Sequence, residues 1–243
     1  MPSDVEVRVV PNPLAAYPSI LYLSGGEFWM GQDDGRDEER PVHRVRVSPF
    51  GLGKTQVTNA QYDLYCKATG RPPTRFRQQK EFDKLDQPVL GPSWFDAVAY
   101  CEWLTQVKGR RFRLPTEAEW EWAARGGLEG RLYPWGSEAV VERKDYDSRW
   151  LSGPEPVATS APNGYGLFDM CENVHEWCVD WYSADFYVIS PGEDPKGPDE
   201  GIRRASRGGS WRHQVKISRC AARSSIPPDF EYADYGFRVA CEV

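Results

Sequence analysis

The chain has 243 residues and carries 30 Lys and Arg against 36 Asp and Glu, a net charge of −6, with 40% hydrophobic residues. Basic residues scattered through an acidic chain exclude a nucleic-acid surface. No apolar run approaches the ~20 residues of a membrane helix, and this length buries enough of its own surface to fold without a disulfide or metal staple.

In chain order, the short alternating segments Gly26–Met30 and His43–Val47 read as strands. Thr58-Asn59-Ala60-Gln61 is a capping box, predicting a helix to about Lys67 with a stop near Gly70. A second helix is predicted from Ser93-Trp94-Phe95-Asp96, with Phe95, Val98, Ala99, Trp103 and Leu104 on its packed face before Gly109. A third opens at Thr116-Glu117-Ala118-Glu119 behind Pro115, packs Trp120 with Ala123 or Ala124, and stops at Arg125-Gly126-Gly127. From Tyr133 to Trp211 the reading is irregular, and Phe237–Ala240 closes the chain as a strand. Such loops need bracing, by packed aromatics or by a hard cation held on loop oxygens.

Gly and Pro punctuate the chain evenly without a low-complexity linker, which favours one domain. The first thirty residues carry Asp4, Glu6 and Arg8 and show no apolar secretory core, so a cytoplasmic location is the expectation. Six cysteines stand at 66, 101, 171, 178, 220 and 241, none in a CxxC pair. They read as buried free thiols behaving as small hydrophobes.

An ordered series of motifs then carries a family signature. Gly25-Gly26-Glu27-Phe28-Trp29-Met30-Gly31, Pro41-Val42-His43-Arg44-Val45, Arg113-Leu114-Pro115-Thr116-Glu117-Ala118-Glu119-Trp120, Tyr133-Pro134-Trp135-Gly136, Asn163-Gly164-Tyr165-Gly166-Leu167-Phe168-Asp169-Met170, Arg207-Gly208-Gly209-Ser210-Trp211 and Gly236-Phe237-Arg238 follow one another. Together they resemble the formylglycine-generating enzyme (sulfatase-modifying factor) family. The resemblance implies an α+β, C-type-lectin-related fold with few helices, little sheet and much irregular structure. It also implies one domain over residues 19–243 behind an N-terminal extension at 1–18.

By the same resemblance, the family's oxidases hold Cu(I) on two cysteine thiolates shortly after Gly-Gly-Ser, soft ligands suited to that ion. Ser210–Arg219 holds no cysteine; His213 falls where the first would stand and the second has no counterpart. Copper is therefore not expected, the alternative being a repositioned pair such as Cys220 with Cys241. Three residues stay open for chemistry. Ser210 is expected to fix the Gly208–Gly209 turn, His213 to bind a ligand or move a proton near neutral pH, and Cys220 resembles a structural cysteine; His43 also reads as structural. Asp169 and Glu176 side chains, with the carbonyls of Glu172 and Val174, match the family's second calcium site. The other calcium site would draw on Asp147 and carbonyls near Ser148 and Val157.

The leading functional expectation is a recognition domain without the copper oxidase activity, binding a peptide, protein or small molecule at a cleft of Trp94, Trp211, His213, Arg223 and Arg238, since aromatics and Arg anchor such surfaces. One alternative is a metal-dependent oxidoreductase maturing a protein cysteine or amino acid. Another is a variable ligand-binding protein of a diversity-generating retroelement, against which Gln214 and Lys216 count.

Overall fold

A computed structural model describes residues 11–137, 153–213 and 218–243. Each of its three α-helices begins where a side chain closes the first turn. Thr58, Ser93 and Thr116 accept from the third helical amide, while Gln61, Asp96 and Glu119 reach back to the cap, opening α1 (Asn59–Thr69), α2 (Trp94–Lys108) and α3 (Glu117–Arg125). The helices end at Gly70, Gly109 and Gly126 in the left-handed conformation, as the sequence predicts.

Ten short strands are described: β1 (Ile20–Leu23), β2 (Gly26–Met30), β3 (His43–Val47), β4 (Phe50–Gly53), β5 (Phe112–Arg113), β6 (His175–Trp181), β7 (Arg204–Arg207), β8 (Arg223–Ile226), β9 (Tyr235–Gly236) and β10 (Ala240–Cys241). β2 and β3 form an antiparallel pair, and one four-stranded sheet has the antiparallel order β1-β4-β10-β5. The other has the order β8-β7-β6-β9, with β6 and β9 parallel and His175 in register with Tyr235. All nine residues of α3 are buried. Trp120 and Trp122 join the β2–β4 core, whereas α1 and α2 pack Tyr62, Tyr65 and Tyr100 around Phe237 in a second cluster.

Three sequence expectations are corrected. α2 buries Trp94, Ala97, Tyr100, Cys101 and Leu104, whereas Phe95 is 55% exposed. The packed stripe starts one residue earlier than read, because Trp94 fills the space under Arg204 and donates its indole N–H to the Cys178 carbonyl at 2.8 Å. The supposedly irregular middle contains β6, whose residues are buried on both faces and so show no alternation. The final strand is split: Phe237 and Val239 accept from Val57 and Gly53 amides as the chain crosses from β9 in one sheet to β10 in the other.

Candidate functional site

The chain turns into β6 through a bend in which Asp169, Cys171 and Asn173 all adopt left-handed backbone (φ 58°, 67° and 67°). Each non-glycine residue there costs roughly 1 kcal/mol, so surrounding contacts must hold the bend. Asn173 accepts the Glu155 amide at 2.9 Å and its carbonyl takes the Trp211 amide at 2.7 Å. The Gln56 amide nitrogen donates to the Asp169 carbonyl (3.1 Å), the Glu172 carbonyl (3.4 Å) and Glu176 Oε1 (2.9 Å), leaving Gln56 Oε1 buried without a partner. The Asp169 side chain accepts the Ala158 amide at 2.8 Å, and burial pushes its carboxyl up to about 7.

Of the four expected calcium ligands, the structure thus brings the Glu172 carbonyl and Glu176 carboxylate to one point, joined by the carbonyl of Asp169. The orphaned Gln56 oxygen fits that oxygen set, because an amide turned over would add a fourth oxygen. Arg238 opposes a cation there. It bonds both Glu176 oxygens at 2.6 and 2.7 Å, and the Trp120 indole donates to Oε2 at 2.7 Å. Val174 is fully buried beside this bend. Of the other calcium site, Asp147 and Ser148 lie outside the described residues, as do Gln214 and Lys216; Val157 is buried, its amide bonded to the Asp86 carbonyl.

Where β6 begins, three further side chains meet. His175 Nε2 lies 3.0 Å from His213 Nδ1, His213 Nε2 lies 4.0 Å from Asp234 Oδ2, and ligand atoms of the three residues fall within 4.8 Å of one another. The Ser210 hydroxyl donates to Asp234 Oδ2 at 3.2 Å and accepts the Arg212 amide, so it steadies this corner as well as the glycine turn. That turn needs its glycines: Gly208 and Gly209 have φ of 100° and 70°, and a Cβ on Gly209 would collide with Ser218. His175 is buried against Tyr235 with Nδ1 unpartnered; burial and the neighbouring His213 push its pKa down to about 3. His213 keeps about a third of its side chain exposed, and burial lowers its pKa, with Arg212 and Arg36 adding to the effect and Asp234 opposing it.

The expected cleft does not assemble. Arg238 has no exposed surface and is consumed by Glu176 and the Gly53 and Phe168 carbonyls, so it cannot meet a ligand. Arg223 is likewise buried: its guanidinium bonds both Glu117 oxygens and the Glu38 carbonyl and lies over Tyr182 and Tyr187. Trp94 is sandwiched in the α2 core, and Trp211, 5% exposed, donates to the Ala233 carbonyl beneath Phe82. Only His213 of the five keeps an open face. All six cysteines are buried and free. Cys220 meets Cys171 at 4.0 Å in one core cluster, while Cys241 belongs to the other, so the Cys220–Cys241 copper pair is not formed. His43 donates from Nδ1 to the Pro41 carbonyl and packs at a tilt against Tyr187, a structural position.

Sequence reasoning missed His175 and Asp234. His175 sat in a run read for its oxygens, and Asp234 carried no local signal; only the parallel β6–β9 pairing, with the His175 amide bonded to the Asp234 carbonyl at 2.8 Å, makes them neighbours.

Around this corner α3 lies in a web of ion pairs. Arg207 bonds Glu121 and reaches Glu117, Arg125 bonds Glu121 at 2.6 Å, and Arg113 grips Glu119 with two 2.6 Å bonds. Short sheets and long loops braced by a buried helix and arginine–glutamate pairs define an α+β domain of the formylglycine-generating-enzyme type. The chain belongs to the family of the sulfatase-modifying factor enzyme 1-like domain, which matches residues 6–243. It is 36% identical to a formylglycine-generating enzyme of Streptomyces coelicolor, over 95% of this chain and 92% of that protein. Its fold is similar to PvdO from Pseudomonas aeruginosa (TM-score 0.83, 28% identity, 97% and 98% of the two chains) and to variable protein 1 of Treponema denticola (TM-score 0.80, 28% identity, 92% and 95%). It also matches the serine/threonine-protein kinase pkn1 of Chlamydia pneumoniae at 36% identity, with 95% of this chain spanning only 39% of that protein. No helix among the described residues is long and apolar enough to cross a membrane.

Proposed function

We propose that this chain is a recognition domain of its family that binds a peptide, protein or small-molecule ligand and lacks thiolate-held copper chemistry. The observation that carries the reading is the placement of the thiols: all six cysteines are buried, and the loop after Gly208-Gly209-Ser210 presents His213 instead. The likeness to a variable protein supports recognition. Two adjoining clefts of about 210 and 270 Å³ flank Trp29, which is 49% exposed and offers an aromatic anchor. The second reading, an oxidoreductase that matures a protein cysteine, is favoured by relatives named formylglycine-generating enzyme.

Calcium belongs to the same proposal, as a structural ion at the bend before β6 held by the Asp169 and Glu176 side chains and the carbonyls of Glu172 and Val174, with the Asp169 carbonyl beside them. The deciding experiment for function incubates the protein with copper and a Cys-x-Pro-x-Arg peptide and follows the cysteine by mass spectrometry. An unconverted cysteine is expected; conversion to the aldehyde would establish the oxidoreductase reading instead.

A further inference from the structure

We infer that His175, His213 and Asp234 form a binding site for one divalent transition-metal ion. The inference goes beyond ligand recognition and does not depend on it.

Three separate segments deliver the residues, and each is fixed by backbone contacts. His175 opens β6, Asp234 immediately precedes β9, and the parallel pairing of those strands places them side by side. His213 arrives on the turn after β7, held by its own amide on the Ser210 carbonyl (2.9 Å) and by the neighbouring Trp211 amide on the Asn173 carbonyl (2.7 Å). Ser210 also orients the Asp234 carboxylate through Oδ2, the kind of outer contact that metal-binding carboxylates usually have.

The donor set decides the ion class. Two imidazole nitrogens and a carboxylate suit iron, cobalt, nickel or zinc in the divalent state, not the soft Cu(I) that thiolates select. The two nitrogens stand 3.0 Å apart. With metal–nitrogen bonds of about 2.1 Å, that spacing subtends about 90° at the ion, the angle between neighbouring ligands of an octahedral centre. A tetrahedral zinc would need the rings to part by a few tenths of an ångström. For any of these ions the Asp234 carboxylate must close in on the nitrogen pair, since ligand atoms sharing one ion stand at most about 4.2 Å apart and the three residues span up to 4.8 Å. The partly exposed side of His213 supplies the entry path, since His175 and Asp234 are buried. Arg212 and Arg36 face the same histidine and work against the ion's charge; Asp234 is the anion that offsets them. Three protein ligands leave coordination positions open for water or for a donor atom of a bound ligand.

The experiment is a Co(II) titration of tag-free, chelator-treated full-length protein, read by visible absorption, followed by displacement with Zn(II). One Co(II) per chain is expected, with affinity weakened at least about tenfold in His213→Ala and in Asp234→Asn and unchanged in Cys171→Ser. His213→Ala removes a partly exposed ring, so it decides the matter even where the buried Asp234 variant folds poorly. Absence of Co(II) uptake, or uptake equally tight in His213→Ala, overturns the site and shows the 3.0 Å contact to be a histidine–histidine hydrogen bond only. A metal-free result leaves the peptide experiment above to judge the recognition reading by itself.

Discussion

The web around α3 and the corner where β6 begins are both buried and polar, yet they satisfy their charges differently. In the web every acid meets a cation. Burial works to raise the Glu117 pKa, but Arg223 and Arg207 outweigh it and hold the carboxyl below its usual range. Glu121 receives both Arg125 and Arg207. At the corner, by contrast, His175 Nδ1 and Gln56 Oε1 have no partner, Asp169 is pushed up to about 7, and three residues of the preceding bend hold left-handed backbone. Paired charges fix one arrangement of the chain, even though Arg207 Nε in the web also lacks a partner; orphaned polar atoms combined with strained backbone mark where a fold keeps capacity for a ligand. The arginines that looked like ligand anchors therefore belong to the scaffold, and the histidine corner is the place left for chemistry.

The largest way to break this contrast is Arg207→Met, which strips Glu121 Oε2 of its guanidinium, leaving Arg125 on Oε1, and weakens the hold on Glu117 at full burial. A loss of roughly 3 kcal/mol of unfolding free energy is expected, measured by urea denaturation, because two buried carboxylates lose part of their compensation and keep only Arg125 and Arg223. A loss under about 1 kcal/mol would place the web with weak surface pairs and erase the distinction.

The next effect is one of pH. The folded-state pKa of Asp169 lies above its unfolded value, so the folded chain holds a proton that the unfolded chain releases. Its contribution to stability is complete below about pH 4 and is lost as pH rises to about 7, at up to roughly 1.4 kcal/mol per pH unit. Melting curves in EGTA should show that decline, Asp169→Asn should flatten it, and calcium should raise the melting temperature at pH 7. A decline unchanged in Asp169→Asn would move the effect to Asp180, whose carboxyl burial also raises. Melting indifferent to EGTA removes calcium from the bend.

The smallest change sharpens the scaffold side. Thr116→Ala removes the side-chain acceptor for the Glu119 amide at the start of α3, and about 1 kcal/mol is expected from the urea midpoint. A negligible cost would mean that the buried faces of α3 alone define where it starts.

The helix starts were legible because each is a local device: Thr58, Ser93 and Thr116 act on amides three residues away, and glycines end the same helices. The packed face of α2 was misread because Trp94 answers to Arg204 and Cys178, which are distant in sequence. β6 was hidden for a related reason. With both faces buried, its acids and histidine stand where a surface strand would alternate, and only Arg207, Arg238 and Asp234 explain them.

The sequence by itself determined the family, the three helices and the lack of a cysteine in the loop after Ser210. The tertiary structure alone decided which charges are spent and which are available. A guanidinium's role depends on the carboxylate that long-range pairing brings to it, so Arg223 and Arg238 became core. The same pairing of β6 with β9, together with the glycine turn after β7, gathered His175, Asp234 and His213 from segments with no local reason to meet.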